Sequence, residues 1–599
     1  MRRAGPPACR ESFGKQGVDD VKSGPWAETG GGFPRPVWFW AGVAAGTAGT
    51  VLHLPMFLHA RHMGYRMAGM APDPAMVAGM ALIVCGVGAV LVGLWPPRAE
   101  ALRREAAAVR VRADDDAGLR PAHVMLLIVL SLAVTIDVMK PLTLSLVVPG
   151  VAAEYGLASP LRPGGAVSVA WLPLAGISGT MVGSFVWAGL GDRIGRRNSI
   201  LLAGVLFATT SVCGAMPGFW WNVLMCFVMG MAAGGMIPIA FTLMAETVPR
   251  RHRGWLMVLI GGNVTVAYAL TSWLAAVLTP EFGWRALWLV GLPTGLLLLV
   301  LNHWIPESPR FLLATGREEQ ARELLRRYGS TVVSPVSGPV PVSGSAPALV
   351  SGAGPGDAPG DAPGSGAGSA LLSGSAHGSA HGPGSGPGPV PPGDVPGHLR
   401  LWGRGFGSRT AVLTLLATGA GLLTYGFQMW LPVNLGRVGY LEASSARILR
   451  DSALISLPLN VLTALLYGLW SSRRTAVVVA GSAAGALVVL AVAGETVAGD
   501  ESLMRLLLFV PLWGISATAA VVAAYSSEVY PTALRSRGTG WAAGVSKAGG
   551  VLVLALAVGT AAVPPMEVTA LVAAVPLALA AVAFVFLAPE TRGRRLDES

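Results

Sequence analysis

The sequence predicts an all-α polytopic membrane protein: two similar six-helix halves, twelve core helices in all, preceded by two further helices. Three observations predict it. First, 53% of the 599 residues are hydrophobic and only 13% are charged, with a mean hydropathy of +0.58, too apolar for a soluble chain of this length. Second, apolar runs long enough to cross a bilayer recur along the chain, and arginines gather in alternate short loops between them. Third, an acid followed by arginines recurs at Glu246 and Glu528, and a Pro-Glu pair recurs at Pro306-Glu307 and Pro589-Glu590, the spacing of an internal duplication. The net charge of +11 sits in these loops and forms no continuous basic face, which excludes a nucleic-acid partner. No phosphate-binding glycine loop, catalytic-triad spacing or metal-ligand cluster is present, so neither an enzyme nor a cofactor is expected. Cys85, Cys213 and Cys226 lie in apolar spans and Cys9 in the polar leader, which implies no disulfide framework.

In chain order, residues 1–36 read as a polar, basic tail on the cytoplasmic side, and residues 37–96 hold the two additional spans. Between those spans lies a window with His59, Met63, Met67 and Met70 at helical spacing. Soft ligands of this kind suit copper, but Arg61 and Arg66 beside them oppose a cation, and the bland reading is packing at a helix end. Residues 97–120, rich in Ala, Arg and Glu, predict a cytoplasmic linker helix. Residues 121–305 form the first six-helix half. Its first span carries Asp137, Lys140 and Pro141. A charge at mid-span costs about 3 kcal/mol and faces a cavity or a partner. Asp137 and Lys140, one turn apart, could pair with each other. Alternatively Pro141, which lacks an N–H, breaks the helix and frees the Asp137 carbonyl for a binding or proton site. The fifth core span offers Asn263, Thr265 and Tyr268. Residues 306–330 read as an amphipathic segment along the inner membrane surface, and 331–400 as a Gly/Ser/Pro-rich linker. Residues 401–588 form the second half, with Gln428 in its first span and Lys547 in its fifth. Residues 589–599 are a cytoplasmic tail.

The loop between the second and third core spans reads Ala188-Gly189-Leu190-Gly191-Asp192-Arg193-Ile194-Gly195-Arg196-Arg197. Topology accounts for its arginines but not for Asp192 or Gly195. The pattern resembles the loop between helices 2 and 3 of major facilitator superfamily transporters. Four further elements are similar to that family's sugar porter and organic-solute branches: Glu246-x-x-Pro249-x-x-x-Arg253-Gly254, Pro306-Glu307-Ser308-Pro309-Arg310, Glu528-x-x-Pro531 with Arg537-Gly538, and Pro589-Glu590-Thr591-Arg592. The loop at Ser471-Ser472-Arg473-Arg474 repeats the first motif without its acid. The resemblance implies alternating access, with Asp192, Arg193, Arg196, Arg197, Glu246, Arg253, Glu307, Arg310, Glu528, Arg537 and Glu590 forming a charged cytoplasmic gate between the halves.

The expected function is secondary active transport of a small organic solute, coupled to protons. Asp137, Lys140, Asn263, Gln428 and Lys547 are the candidate substrate and proton site. Asp137 together with Tyr425-Gly426-x-x-x-Trp430-Leu431-Pro432 resembles carriers of organic and aromatic acids, and the lysines suit a carboxylate; a sugar-like metabolite is the other substrate class. Drug or metal efflux and a transporter-like sensor are the alternatives. The expected partners are the substrate, protons and the lipid bilayer. The expected state is a monomer in the cell membrane with both termini inside.

Overall fold

The computed structural model describes residues 34–97, 99–101, 110–113, 118–159, 164–333, 401–403, 405–494, 496–497, 499–530, 532–560 and 563–591. The leader, the final residues and nearly all of the 331–400 linker lie outside the described residues. Fourteen helices among the described residues are long and apolar enough to cross a membrane. They are α1 (Pro36–Met63), α2 (Pro74–Leu94), α3 (Pro121–Tyr155), α4 (Trp171–Gly191), α5 (Arg196–Ala215), α6 (Phe219–Met244), α7 (Arg251–Phe282), α8 (Ala286–Trp304), α9 (Gly407–Arg437), α10 (Glu442–Trp470), α11 (Ser472–Ala493), α12 (Glu501–Glu528), α13 (Arg537–Gly559) and α14 (Met566–Leu587). The first half is α3–α8 and the second α9–α14. The end of the bundle that holds the arginine-rich loops is termed the basic end, and the other the far end.

Apolar side chains such as Phe185, Val492 and Phe586 face outward, while Asp137, Lys140, Arg285 and Gln428 are buried. That inversion is what a hydrocarbon solvent favours, because a polar group finds partners only inside the protein. Close helix contacts rest on glycine, as expected where backbones must approach without a hydrophobic drive. A Cβ on Gly42 of α1 would lie 2.6 Å from Gly86 O of α2, and one on Gly49 would lie 2.6 Å from Gly79 O. The α1–α2 pair leans on α5 through Gly46 and Thr209. Its connecting loop is held by Glu154 at the far end of α3, whose carboxylate accepts from Met67 N (2.7 Å) and Ala68 N (2.9 Å).

Two expectations need correction. Helix α3 is continuous over 35 residues with Pro141 and Pro149 inside it, so Pro141 does not break it; a single missing N–H is tolerated where neighbouring helices hold the segment. Within 97–120, Arg110–Ala113 is strand β1, not helix. It pairs antiparallel with β2 (Ser330–Val333), Arg110 opposite Val333 and Ala113 opposite Ser330. This ribbon joins the segment before α3 to the segment after α8, and Arg120 Nη1 donates to Arg326 O (2.5 Å) alongside it. The four residues of the α1–α2 window do not share one helical face: a 3-10 turn spans Ala60–Met63, and Met67 is buried while His59 and Met63 are exposed.

Candidate transport site and inter-half gate

Asp137 is buried at mid-length of α3. Lys547 of α13 lies within reach of its charge, and Tyr425 of α9 lies within the field of Asp137. The Lys547 ammonium donates to Thr180 O of α4 (3.3 Å) and to Ser184 Oγ. Ser184 Oγ also stands 2.9 Å from Thr180 O and 2.9 Å from Gly234 O of α6. A cation from the second half is thus held by oxygens of the first, facing a carboxylate whose Oδ1 has no hydrogen-bond partner among the described residues. Helix α9 winds as a π-helix over Leu422–Gln428, a local distortion that concentrates at functional positions. It carries Tyr425 and the buried Gln428, whose Oε1 likewise finds no partner there.

The other two expected site residues sit elsewhere. Asn263 Nδ2 approaches Ser131 O of α3 at 3.5 Å, a contact that ties α7 to α3. Lys140 does not pair with Asp137. Its ammonium points into the interior of the first half against Gly291 of α8, where a Cβ would overlap Lys140 Cε at 2.6 Å. Asp137 and Lys140 lie only about 60° apart around α3; their charged ends diverge because the long lysine side chain enters the room that Gly291 leaves.

A polar ring beside Asn263 has no motif in the sequence; only its polarity inside apolar spans marks it. Thr265 Oγ1 of α7 donates to Ser516 Oγ of α12 (2.6 Å), Asn460 Nδ2 of α10 donates to Thr265 Oγ1 (2.9 Å), and Ser516 Oγ donates to Asn460 Oδ1 (2.8 Å). Each member has a partner, so this buried contact between the halves carries no unsatisfied group.

At the basic end the acids act mostly within their own half. Glu307 accepts from Arg196 N (2.7 Å), Arg197 N (3.4 Å) and Ser308 N (2.9 Å), so it caps the start of α5, where unsatisfied N–H groups and the helix dipole attract an anion. Gly195, at φ +94°, allows this approach, since a Cβ there would strike the Glu307 carboxylate. Burial raises the Glu307 carboxyl above its ordinary range, opposed by the N–H groups of Ser308 and Arg196 and by the charges of Arg317 and Arg196. Glu590 repeats the arrangement in the second half: it accepts from Ser472 N (2.9 Å) and Ser472 Oγ (2.5 Å) at the start of α11. In these contacts the two acids cap helices of their own half, whereas the expected gate had them bridging the halves. Arg197 Nε donates to Asn302 O (3.2 Å) and Arg196 Nη1 to Gly191 O (2.8 Å). Arg193 pairs with Glu100 (2.7 Å), Arg310 is half-buried and Arg537 exposed. The side chains of Asp192 and Glu246 lie outside the described residues.

Glu528 does span the halves. It accepts from Tyr467 OH and Thr591 Oγ1, each at 2.8 Å, lies in the field of Arg253 of α7, and presses on Gly254, where a Cβ would sit 2.5 Å from Oε1. Gly261 meets Ala520 one level deeper. At the far end Met429, Trp430, Val433, Leu554 and Ala557 of the second half share one apolar cluster with Val147, Val148 and Val151 of the first. The halves therefore touch at both ends, with the Asp137–Lys547 pair between.

A family model described as the Major Facilitator Superfamily matches residues 125–515. The chain belongs to the major facilitator superfamily. As a member it is a multi-pass solute transporter, and α1 and α2 precede the matched region. It is 25% identical over 443 residues to the niacin transporter NiaP of Acinetobacter baylyi, covering 71% of this chain and 86% of that protein. It is 28% identical over 228 residues to the 4-hydroxybenzoate transporter PcaK of the same organism, covering 37% of this chain and 48% of that one. Among solved structures, the proton:xylose symporter XylE bound to 6-bromo-6-deoxy-D-glucose superposes with a TM-score of 0.55 at 18% identity, over 79% of this chain and 98% of that one. That likeness concerns the fold.

Proposed function

We propose that this superfamily member is a proton-coupled symporter of a small organic anion, an aromatic monocarboxylate being the class favoured. The carrying observation is the opposition of Asp137 and Lys547: one acid and one base, from different halves, lying between the contacts at the basic end and those at the far end. A desolvated ammonium suits a carboxylate, and a carboxyl with an unpartnered oxygen suits a transferable proton. Tyr425, within the field of Asp137, supplies an aromatic wall, and the buried amide of Gln428 lies three residues further along the same π-helical stretch. The names of the similar proteins support the substrate class, since niacin and 4-hydroxybenzoate are both aromatic carboxylates. In this reading the basic end is cytoplasmic, both termini lie inside, the protein works as a monomer in the cell membrane, and the Glu528–Gly254 contact is the part of the gate that breaks on inward opening. Uptake of labelled aromatic carboxylates, aliphatic carboxylates and sugars into proteoliposomes tests it. Saturable uptake of an aromatic carboxylate, lost in Lys547→Met, is expected. Uptake of sugars alone, or carboxylate uptake indifferent to Lys547→Met, refutes it.

A further inference from the structure

Lys140 is used by nothing described above. It is 4% exposed, and Nζ has no hydrogen-bond partner among the described residues. Its ammonium stands in a small cavity inside the first half, walled by α3, α7 and α8 and lined also by Thr143, Thr271, Thr294 and Gly291. The space suits about one water-sized occupant. Gly291 is what admits the ammonium, because a side chain there would take its place.

A buried ammonium has three donors to satisfy, and its desolvation costs several kcal/mol unless a counter-charge offsets it. An occupant that accepts hydrogen bonds and carries negative charge would satisfy the donors and offset the buried charge together. Room for about one water-sized particle beside the ammonium fits a single-atom anion. The remaining walls, including Ile136, Leu287 and Val290, are aliphatic. The hydroxyls of Thr143, Thr271 and Thr294 now donate to carbonyls of their own helices at 2.9, 2.6 and 2.9 Å. A hydroxyl hydrogen rotates, so each can turn to an anion. We propose that this cavity is a resident halide site, filled by chloride and held by the Lys140 ammonium with the threonine hydroxyls. Cys213 and Cys226, fully buried, are the titratable groups that lie within reach of the Lys140 charge, so a thiolate is the internal rival to chloride. The halide would neutralise the Lys140 charge, leaving Asp137 as the charged group of α3 free to exchange protons.

The test uses the full chain, purified in detergent, with thermal unfolding followed at constant ionic strength as sodium gluconate is replaced by sodium chloride, and with chloride NMR line width as a second readout. The melting temperature should climb by several degrees and saturate with chloride, bromide should substitute, and the chloride line should broaden. Lys140→Gln should abolish both effects. Thr294→Val, which removes one hydroxyl at constant shape, should raise the half-saturating chloride about tenfold, and keeps the test informative if the lysine variant does not fold. Cys226→Ala should leave the response intact. Equal melting in gluconate and chloride with a sharp chloride line overturns the proposal, as does a chloride response that survives Lys140→Gln or disappears in Cys226→Ala.

Discussion

Removing Arg285 should be among the most costly single substitutions in the first half. Arg285 and Glu154 pair at 2.7 Å with side chains 1% and 5% exposed. The Glu154 carboxylate collects five donors: Met67 N, Ala68 N, Trp284 Nε1 and two guanidinium nitrogens, at 2.7 to 3.2 Å. The guanidinium also donates to Met216 O (2.8 Å), Gly214 O (3.3 Å) and Tyr155 OH (2.9 Å). One ion pair therefore joins the far ends of α3 and α8, the α5–α6 turn, and the loop between α1 and α2. Arg285→Met keeps much of the volume and leaves a buried carboxylate without its counter-charge, a loss of about 3–5 kcal/mol. For a unit of about 150–250 residues this lowers the melting temperature by roughly 6–20 °C. Glu154→Gln strands the arginine and should cost a similar amount. The double variant should cost clearly less than the two together, because the second change removes a charge that is already stranded. Thermal unfolding of the four proteins in nanodiscs gives the coupling, and hydrogen exchange at Met67 and Ala68 should rise in each variant. Additive losses, or a loss below about 1 kcal/mol for Arg285→Met, would refute the assignment of this pair as the anchor of the α1–α2 loop.

Four further outcomes follow. Ser184→Ala removes the hydroxyl that receives Lys547 and should raise the KM for a carboxylate substrate more than it lowers kcat, read from initial uptake rates; an unchanged KM contradicts the role of the α4 oxygens. Gly261→Leu places a side chain against Ala520 and should hold the basic end open, so that a cysteine introduced near that end labels faster; unchanged labelling contradicts the contact. Glu307→Ala strips the α5 cap and should cost about 1 kcal/mol, with little change expected for Glu307→Gln, which keeps an acceptor; unfolding in detergent distinguishes them. Because burial raises the Glu307 carboxyl above its ordinary 4.5, the folded form binds its proton more tightly than the unfolded form, so this group lowers stability as pH rises from about 4.5 through the raised value. Glu307→Gln should flatten the pH profile of melting in that window, and an unaltered slope would show the group to be elsewhere in its titration.

The membrane fold was readable because a bilayer imposes a rule on sequence that water does not: about twenty apolar residues per span, with arginines at one end. The recurring Glu and Pro-Glu motifs exposed the two halves for the same reason, being short and local. Placement of the charges was not readable. Asp137 and Lys140 share one span and one helical turn, and what separates them is Gly291, some 150 residues later in the chain, whose missing side chain admits the lysine. Glu307 and Glu590 read as gate acids because their true partners are backbone N–H groups at Arg196 and Ser472, which every sequence offers at every position. Arg110–Ala113 has helix-prone neighbours and becomes a strand only because Ser330–Val333 pairs with it, a tertiary contact that overrides local preference. The Thr265–Asn460–Ser516 ring joins three helices, and no pairwise spacing announces it.

The most direct test of the central claim is proton movement in proteoliposomes holding the wild-type chain or Asp137→Asn, with an aromatic carboxylate added outside. Proton symport predicts external alkalinisation that tracks uptake in the wild type. In the variant it predicts no alkalinisation and no accumulation against a gradient, while exchange of labelled for unlabelled substrate persists. Alkalinisation that persists in Asp137→Asn, or wild-type uptake with no proton movement, would contradict it.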